Sequence, residues 1–303
     1  MDKNSKFLLS KITPLHDIPQ AGVYSIRENG KLLARNTDEE VNIVSKADKE
    51  GIDVYVKSGT QNKSVHIPVL VSMSGFDDLV YNDFYIEEGA NVTIVAGCGI
   101  HSNGESGHDG IHTFHVGKNA KVCYVENHLA LGSGKNKTLN PTTKIIIEDG
   151  GSMALNTTQI GGVDYSKRIT IAKLKANAFL EVNEKILTDK FNVAKTDFKV
   201  SLLGDNARCN IISRSVAKGE SEQVFKSNLI GKSSCFGRVE CDAILLDRAQ
   251  VISEPKISAM DKNASLSHEA TIGRIAQDQL VKLMTMGLNE KQAEEKIIEG
   301  FLK

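Results

Sequence analysis

Between about residues 65 and 272 the chain runs in stretches rich in Val, Ile, Thr and Phe that alternate with period two, the pattern of half-buried strands. Between the stretches a polar-then-small turn recurs. Gly89-Ala90-Asn91-Val92, Asn119-Ala120-Lys121-Val122, Gly151-Ser152-Met153-Ala154, Asn177-Ala178-Phe179-Leu180, Asn206-Ala207-Arg208-Cys209, Lys232-Ser233-Ser234-Cys235, Arg248-Ala249-Gln250-Val251 and Asn263-Ala264-Ser265-Leu266 all fit it. The small residues lie at intervals of 30, 32, 26, 29, 26, 16 and 15. Gly and Asn accept the left-handed backbone that sharp corners need. A period near 30 with a half-period near 15 predicts an all-β solenoid, in which two strands per coil pair with their copies one coil later and edges remain only at the ends. A β-sandwich, the competing architecture, would not hold one turn signature at fixed intervals.

The period changes near the C-terminus. From Ile275 the apolar positions repeat at three and four residues through Leu280 and Leu283-Met284, Gly287 sits where a helix-ending glycine belongs, and Asn289 with Gln292 forms a capping-box pair. Two short helices are predicted. The stripe Ala293, Ile297 and Phe301, flanked by Ile298 and Leu302, suits either a cap on the open end of the solenoid or a docking element for a partner. Residues 1–64 are patterned more weakly. Charged clusters and the Asn29-Gly30 hairpin signal predict a small mixed or β lead-in, with no helix expected until late in the chain. The organisation expected is a lead-in over 1–64, a solenoid core over 65–272 and a helical region over 273–303.

At 303 residues, 40% hydrophobic and 25% charged, the chain has the composition of a soluble globular protein with a large core. The net charge of −1 and the lack of a basic run argue against nucleic acid as a partner. Apolar runs such as Ile145-Ile146-Ile147 stop far short of a bilayer span, and Met1-Asp2-Lys3-Asn4 leads into no signal-peptide core, so no membrane and a cytoplasmic location are expected. The five cysteines, at 98, 123, 209, 235 and 241, form no Cys-x-x-Cys, which excludes a zinc ribbon and a thioredoxin-type site.

Familiar motifs fail on inspection. Gly132-Ser133-Gly134-Lys135 lacks the first glycine of a P-loop, having Leu129 there, and Asn136 replaces its Ser or Thr. Gly97-Cys98-Gly99 opens no helix and lacks the third glycine of a dinucleotide site. His101, His108, His112, His115 and His128 crowd one segment where a metal is conceivable. Gly104 to Gly107 reads as a flexible loop, however, so exposed loop histidines are the simpler expectation. Cys209 and Cys235 hold the same place in their repeats and are expected to stack in the core. Cys241 lies between two carboxylates, about one coil before His268-Glu269. One coil places these residues on strands about 4.8 Å apart. Register decides which of His268 and Glu269 shares the face of Cys241. By geometry alone, a core cysteine and a site residue remain equal alternatives.

At these residues the chain resembles the SufB/SufD family. The resemblance is carried by Glu240-Cys241-Asp242-Ala243-Ile244-Leu245, by Ala264 to Ile275, by Asp278-Gln279-Leu280 and Ile297 to Phe301, and also by Ser213 to Gly219 and Val92 to Gly97. It spans the chain from about residue 20 and looks closest to short, single-type members. It implies a right-handed parallel β-helix with a C-terminal helical region, in agreement with the periodicity. It also implies a non-enzymatic scaffold for iron–sulfur cluster assembly working with a SufC-type ABC ATPase, bound through the C-terminal helices, and with a sulfur donor protein. Cys241 matches the scaffold cysteine, Glu269 a functional glutamate, and His268 the histidine that SufD contributes at the SufB–SufD interface. These three are the expected site and ligand residues for a transient iron–sulfur cluster. A cluster needs four ligands, mostly thiolate, so one Cys241 is too few and a homodimer through the β-helix is expected. The flanking Glu240 and Asp242 should raise the thiol pKa, and a protonated His268 should lower it. The N-terminal cysteine motif of longer members has no counterpart before Cys98, and the sulfur-entry cysteine position falls in Ile171-Ala172-Lys173-Leu174. Two rival functions remain: a β-helix enzyme on polysaccharide, weakened by 5% aromatics with no exposed aromatic ladder expected, and a structural regulator of the ATPase without cluster chemistry.

Overall fold

Each corner is built as its small residue requires. Ala90, Ala120, Ala178 and Ala207 are fully buried beneath their bends, and Asn119, Asn177 and Asn206, just before three of them, take φ of 55°, 57° and 59°. Buried under the bend, the position takes only a small side chain, Ala in most coils and Ser at 152 and 233, and few residues besides Asn and Gly accept the backbone that precedes it. Stacking these corners winds the chain into a parallel β-solenoid of about eight turns, seen in a computed structural model that describes residues 1–303.

The first strands are β1 (Val23–Glu28), β2 (Lys31–Asn36), β3 (Val41–Ser45), β4 (Gly51–Val56), β5 (Lys63–Val71), β6 (Phe76–Ile86) and β7 (Asn91–His101). The middle holds β8 (Ser106–Val116), β9 (Lys121–Leu131), β10 (Lys137–Leu139), β11 (Thr142–Ile147), β12 (Ser152–Ile160), β13 (Tyr165–Leu174) and β14 (Phe179–Thr188). Last come β15 (Val193–Leu202), β16 (Arg208–Ala217), β17 (Glu222–Gly231), β18 (Phe236–Leu245), β19 (Gln250–Ala259) and β20 (Ser265–Gly273). The first sheet runs β2-β1-β5-β7-β9-β12-β14-β16-β18-β20. The second runs β19-β17-β15-β13-β10-β8-β6-β4-β3, with β11 also joining β13 and β8. Pairing is parallel except at the start, where β2 on β1 and β3 on β4 are antiparallel. Inward rows of Val, Ile, Leu and Phe fill the space between the sheets; Phe84 and Phe114 stack at 4.3 Å, both fully buried. Burial of each such ring contributes roughly 1.5–3 kcal/mol.

Three helices lie outside the solenoid. The first, α1 (Lys3–Ile12), contradicts the expectation of no early helix. Asp2 caps it by accepting from the Ser5 amide at 2.7 Å, and Leu8, Leu9 and Ile12 bury against Leu70. It approaches the first sheet closely because Gly97 and Gly99 lie beneath it: a Cβ at Gly97 would stand 3.0 Å from that of Ile12. So short a helix owes its stability to this packing rather than to propensity, which is why its sequence carried little signal. The other two, α2 (Gln277–Thr285) and α3 (Glu290–Phe301), appear where the period changes, and the capping box of Asn289 and Gln292 forms. Helix α3 does not cap the open end. Glu294 pairs with Lys218 at 3.2 Å and Lys185 donates to the Lys303 carbonyl at 2.6 Å, so α3 lies along the outer face of the first sheet while Ala293 and Ile298 are buried. No residue of α2 is buried.

Candidate functional site

Cys241 sits on β18, one strand from the bare edge β20, with its side chain inside the solenoid and 1% exposed. Register pairs Cys241 with Ala270, Val239 with His268, and Glu240 with Glu269. Paired residues share a face, so His268 lies on the inward side with Cys241, diagonally one coil on, and Glu269 points outward. The face question left open by the sequence is thereby answered. Glu269 and Glu240 both reach Arg238 at 2.9 Å on the outer surface. The imidazole of His268 is different: both ring nitrogens are shielded from solvent and neither has a hydrogen-bond partner. Burial lowers its pKa, so it is neutral near pH 7.

The Cys241 thiol is pushed up to about 11, by burial first. Glu184 and Asp242 add to the rise, and the nearby Ser253 hydroxyl, which makes no hydrogen bond of ordinary geometry, opposes it. Of the two flanking carboxylates expected to raise the thiol pKa, Asp242 contributes and Glu240 faces away toward Arg238.

An inward polar seam leads to this thiol, and sequence reasoning missed it. Register places Glu126, Thr157, Glu184, Ser213 and Cys241 in one row across five strands. Arg168 bonds Glu126 and lies 3.7 Å from Glu184, while Glu184 accepts from Ser213 at 2.7 Å and Thr196 at 3.0 Å. Burial is the strongest single influence and opposes the charged form of Glu126, but Arg168, His128 and His112 together outweigh it and hold the carboxyl well below its usual range. Glu184 goes the other way, because burial outweighs Arg168 and the two hydroxyls. The available signal was the inward phase of Glu126 and Glu184 within alternating strands, legible once coils are aligned.

The histidine-rich segment is not an exposed loop. Residues from Ser106 onward form β8, with Ser106 and Gly107 buried, and His108, His112 and His128 are interior. His108 meets Asp78 at 3.1 Å; His112 and His128 lie 3.8 and 3.7 Å from Glu126. No set of three or more His, Cys, Asp and Glu side chains is gathered to hold a metal ion anywhere in the chain. Cys209 and Cys235 are both core residues but do not stack, since Cys209 pairs with Gly237 and Cys235 precedes the strand. An exposed aromatic ladder does exist, contrary to expectation: Tyr55, Tyr85 and His115 stack at 5.0 and 4.9 Å on the outside of the second sheet. Its inner ring faces are occupied by one another, so it offers no run of open platforms to successive sugars. In the loop after Gly132, Lys137 folds inward and donates to the Gly132 and Gly134 carbonyls.

Fold and site together define a parallel β-solenoid protein with a buried thiol beside an unpaired end. Residues 81–301 match the family described as SUF system FeS cluster assembly, SufBD core domain, and the chain belongs to that family. An iron-sulfur cluster assembly SufBD family protein of Archaeoglobus fulgidus is 30% identical over 90% of this chain and 73% of its own length. A namesake from Methanocaldococcus jannaschii is 26% identical over 94% and 89%, and one from Staphylococcus epidermidis is 25% identical over 72% and 47%. The chain is thus a protein of iron–sulfur cluster assembly, of scaffold type.

Proposed function

We propose that two copies of this chain meet at their bare last ends and build a transient iron–sulfur cluster there, with Cys241 and His268 as the inward donors and Glu269 joining them by leaving Arg238 and turning round the β20 edge. The observation that carries this reading is the juxtaposition, one strand from a bare edge, of a buried thiol and an imidazole without a partner. One chain supplies one thiolate where a cluster needs mostly thiolate in four places; a two-fold pair supplies two thiolates and two neutral imidazoles, four inward donors before either Glu269 is counted. A free strand edge is also the part of a sheet most ready to pair with another chain. Iron binding itself displaces the thiol proton, which the buried site otherwise retains at neutral pH. The cluster is cargo here, handed on and not kept.

A SufC-type ATPase binds at the C-terminal region in this reading, and a separate protein delivers sulfur. Helix α2 supports the first point: Val281 is 48% and Met286, just beyond it, 74% exposed, with nothing of the chain covering them. Deleting 273–303 should abolish ATPase pull-down while circular dichroism still reports a β-rich fold; retained binding would move the docking site onto the solenoid.

The central test is anaerobic reconstitution with iron and sulfide. The parent protein should gain visible cluster absorption, Cys241→Ser should lose it, and Cys209→Ser should keep it. Serine is a hard donor that does not replace thiolate on iron, whereas the swap costs a fold little more than about 1 kcal/mol. A Cys241→Ser protein that reconstitutes like the parent would remove this residue from the site.

A further inference from the structure

The outer face of the second sheet changes charge along its length. On β4, β6 and β8 there is no lysine or arginine, and Asp53, Asp77, Asp83 and Asp109 point outward. From β11 onward the same face carries Lys144, then Lys167 and Lys173 on β13, and Lys195 and Lys199 on β15. Lys226 on β17 and Lys256 on β19 continue it. The outward carboxylates there are Asp197, Glu222 and Glu254, and the only ion pair joins Lys226 to Glu254 at 2.8 Å. Four positive charges are therefore left over on one face of a chain whose net charge is −1.

Folding does not account for this arrangement. Lys167 and Lys195 are register partners on adjacent strands, and like charges directly opposite each other destabilise a sheet. A surface that only needed solubility would intersperse both signs. The five strands from β11 to β19 span about 19 Å between their outer axes and about 33 Å along ten residues, roughly 600–800 Å² with side chains, close to one side of a standard protein interface. The one aromatic ring near the lysines, Tyr165, has Lys195 over it at 5.7 Å, so it offers no stacking platform for single-stranded bases.

We infer that this lysine face is a docking surface for the acidic face of a small protein, a carrier or acceptor in the assembly reaction. The nature of that partner rests on the scaffold reading above; the docking itself does not. The face lies on the sheet opposite the one against which α3 packs, so an acidic protein can sit here while the C-terminal helices are engaged. Lysine, a mobile point charge, suits rapid, salt-sensitive encounter more than fixed bidentate recognition.

The probe is a small acidic plant-type ferredoxin carrying its own cluster, which keeps it folded, titrated calorimetrically against the full chain at low and high salt. Because the ferredoxin's cluster is already complete and no iron or sulfide is added, the result does not depend on whether Cys241 holds a cluster, and reconstitution separately tests that. Saturable binding that weakens with salt is expected. It should fall by about tenfold or more in Lys167→Glu/Lys173→Glu/Lys199→Glu, and stay within about threefold of the parent in the equal-charge control Lys31→Glu/Lys57→Glu/Lys118→Glu. Equal loss in both variants, undiminished binding by the face variant, or no binding by the parent would overturn the proposal. So would tighter binding of the parent to phosphatidylglycerol vesicles or to a short DNA duplex than to the ferredoxin.

Discussion

The two ends of the solenoid are finished differently. At the first end each sheet stops on an antiparallel strand, β2 or β3, and charged side chains crowd the edge: Lys63 pairs with Asp38 at 2.7 Å, and Lys46 reaches Asp53 and Asp83. Helix α1 then covers the outer face nearby. At the last end β19 and β20 stop bare, with Ile252 44%, Ile257 41% and Met260 68% exposed, and α3 turns aside to the wall. Charges and reversed strands are the ordinary ways of blunting an edge. The last end has charges too, Glu254 and Lys256 beside Pro255 on β19 and Glu269 on β20, but no reversed strand and no covering helix, and Cys241 stands one strand inside it.

The largest effect is expected where the closed interior is broken. Arg168→Met leaves Glu126 and Glu184 buried without their shared cation and should cost about 3–5 kcal/mol by urea unfolding, far more than any change at the bare end. Equal tolerance at both places would erase the distinction.

Acid should act on the same interior. His112 is pushed down to about 4, by burial against the weaker pull of Glu126, whereas an unfolded histidine titrates near 6.5. Below 6.5 the unfolded chain takes the proton first, so stability should decline from pH 6.5 to about 4, by about 3 kcal/mol from this residue alone. His128 adds in the same direction, and Glu184, with its pKa raised, opposes it at the acid end of the window. Thermal melts from pH 7.5 to 4.5 check the slope, and His112→Gln should flatten it.

At the bare end, Ile272→Lys places a charge on the exposed edge strand. It should weaken self-association by about tenfold in sedimentation while shifting unfolding by no more than about 0.5 kcal/mol. Smaller still is Lys218→Ala, which removes the partly buried pair to Glu294 and should loosen α3 by about 0.2–1 kcal/mol, read as faster proteolysis of the C-terminal helices.

What could be read from the sequence was whatever repeats. The corner alanines and asparagines recur at coil spacing, so the solenoid was legible from them, and the capping box at Asn289 marked α3. Features made by single contacts were not legible. Helix α1 depends on two glycines some 85 residues away, and the turn of α3 toward Lys218 depends on tertiary contact alone. The site divides the same way. Coil spacing brought Cys241 and His268-Glu269 together as candidates and the family resemblance gave them roles, but their facing required the register, in which Ala270 and not His268 lies beside the thiol. The buried seam was hidden because glutamate and arginine read as surface residues until their phase in the strand is known.

The terminal position of β20 has a kinetic consequence. In a linear stack each coil is held mainly by its immediate neighbours, so the final one can detach at the cost of a single interface while the others stay intact. Amide hydrogens of β19 and β20 should therefore exchange with solvent long before those of β9 or β12, and they should slow when a second copy closes over them. A cluster seated at that boundary would be released by the fraying of one coil, on a clock set by local opening and not by unfolding of the protein.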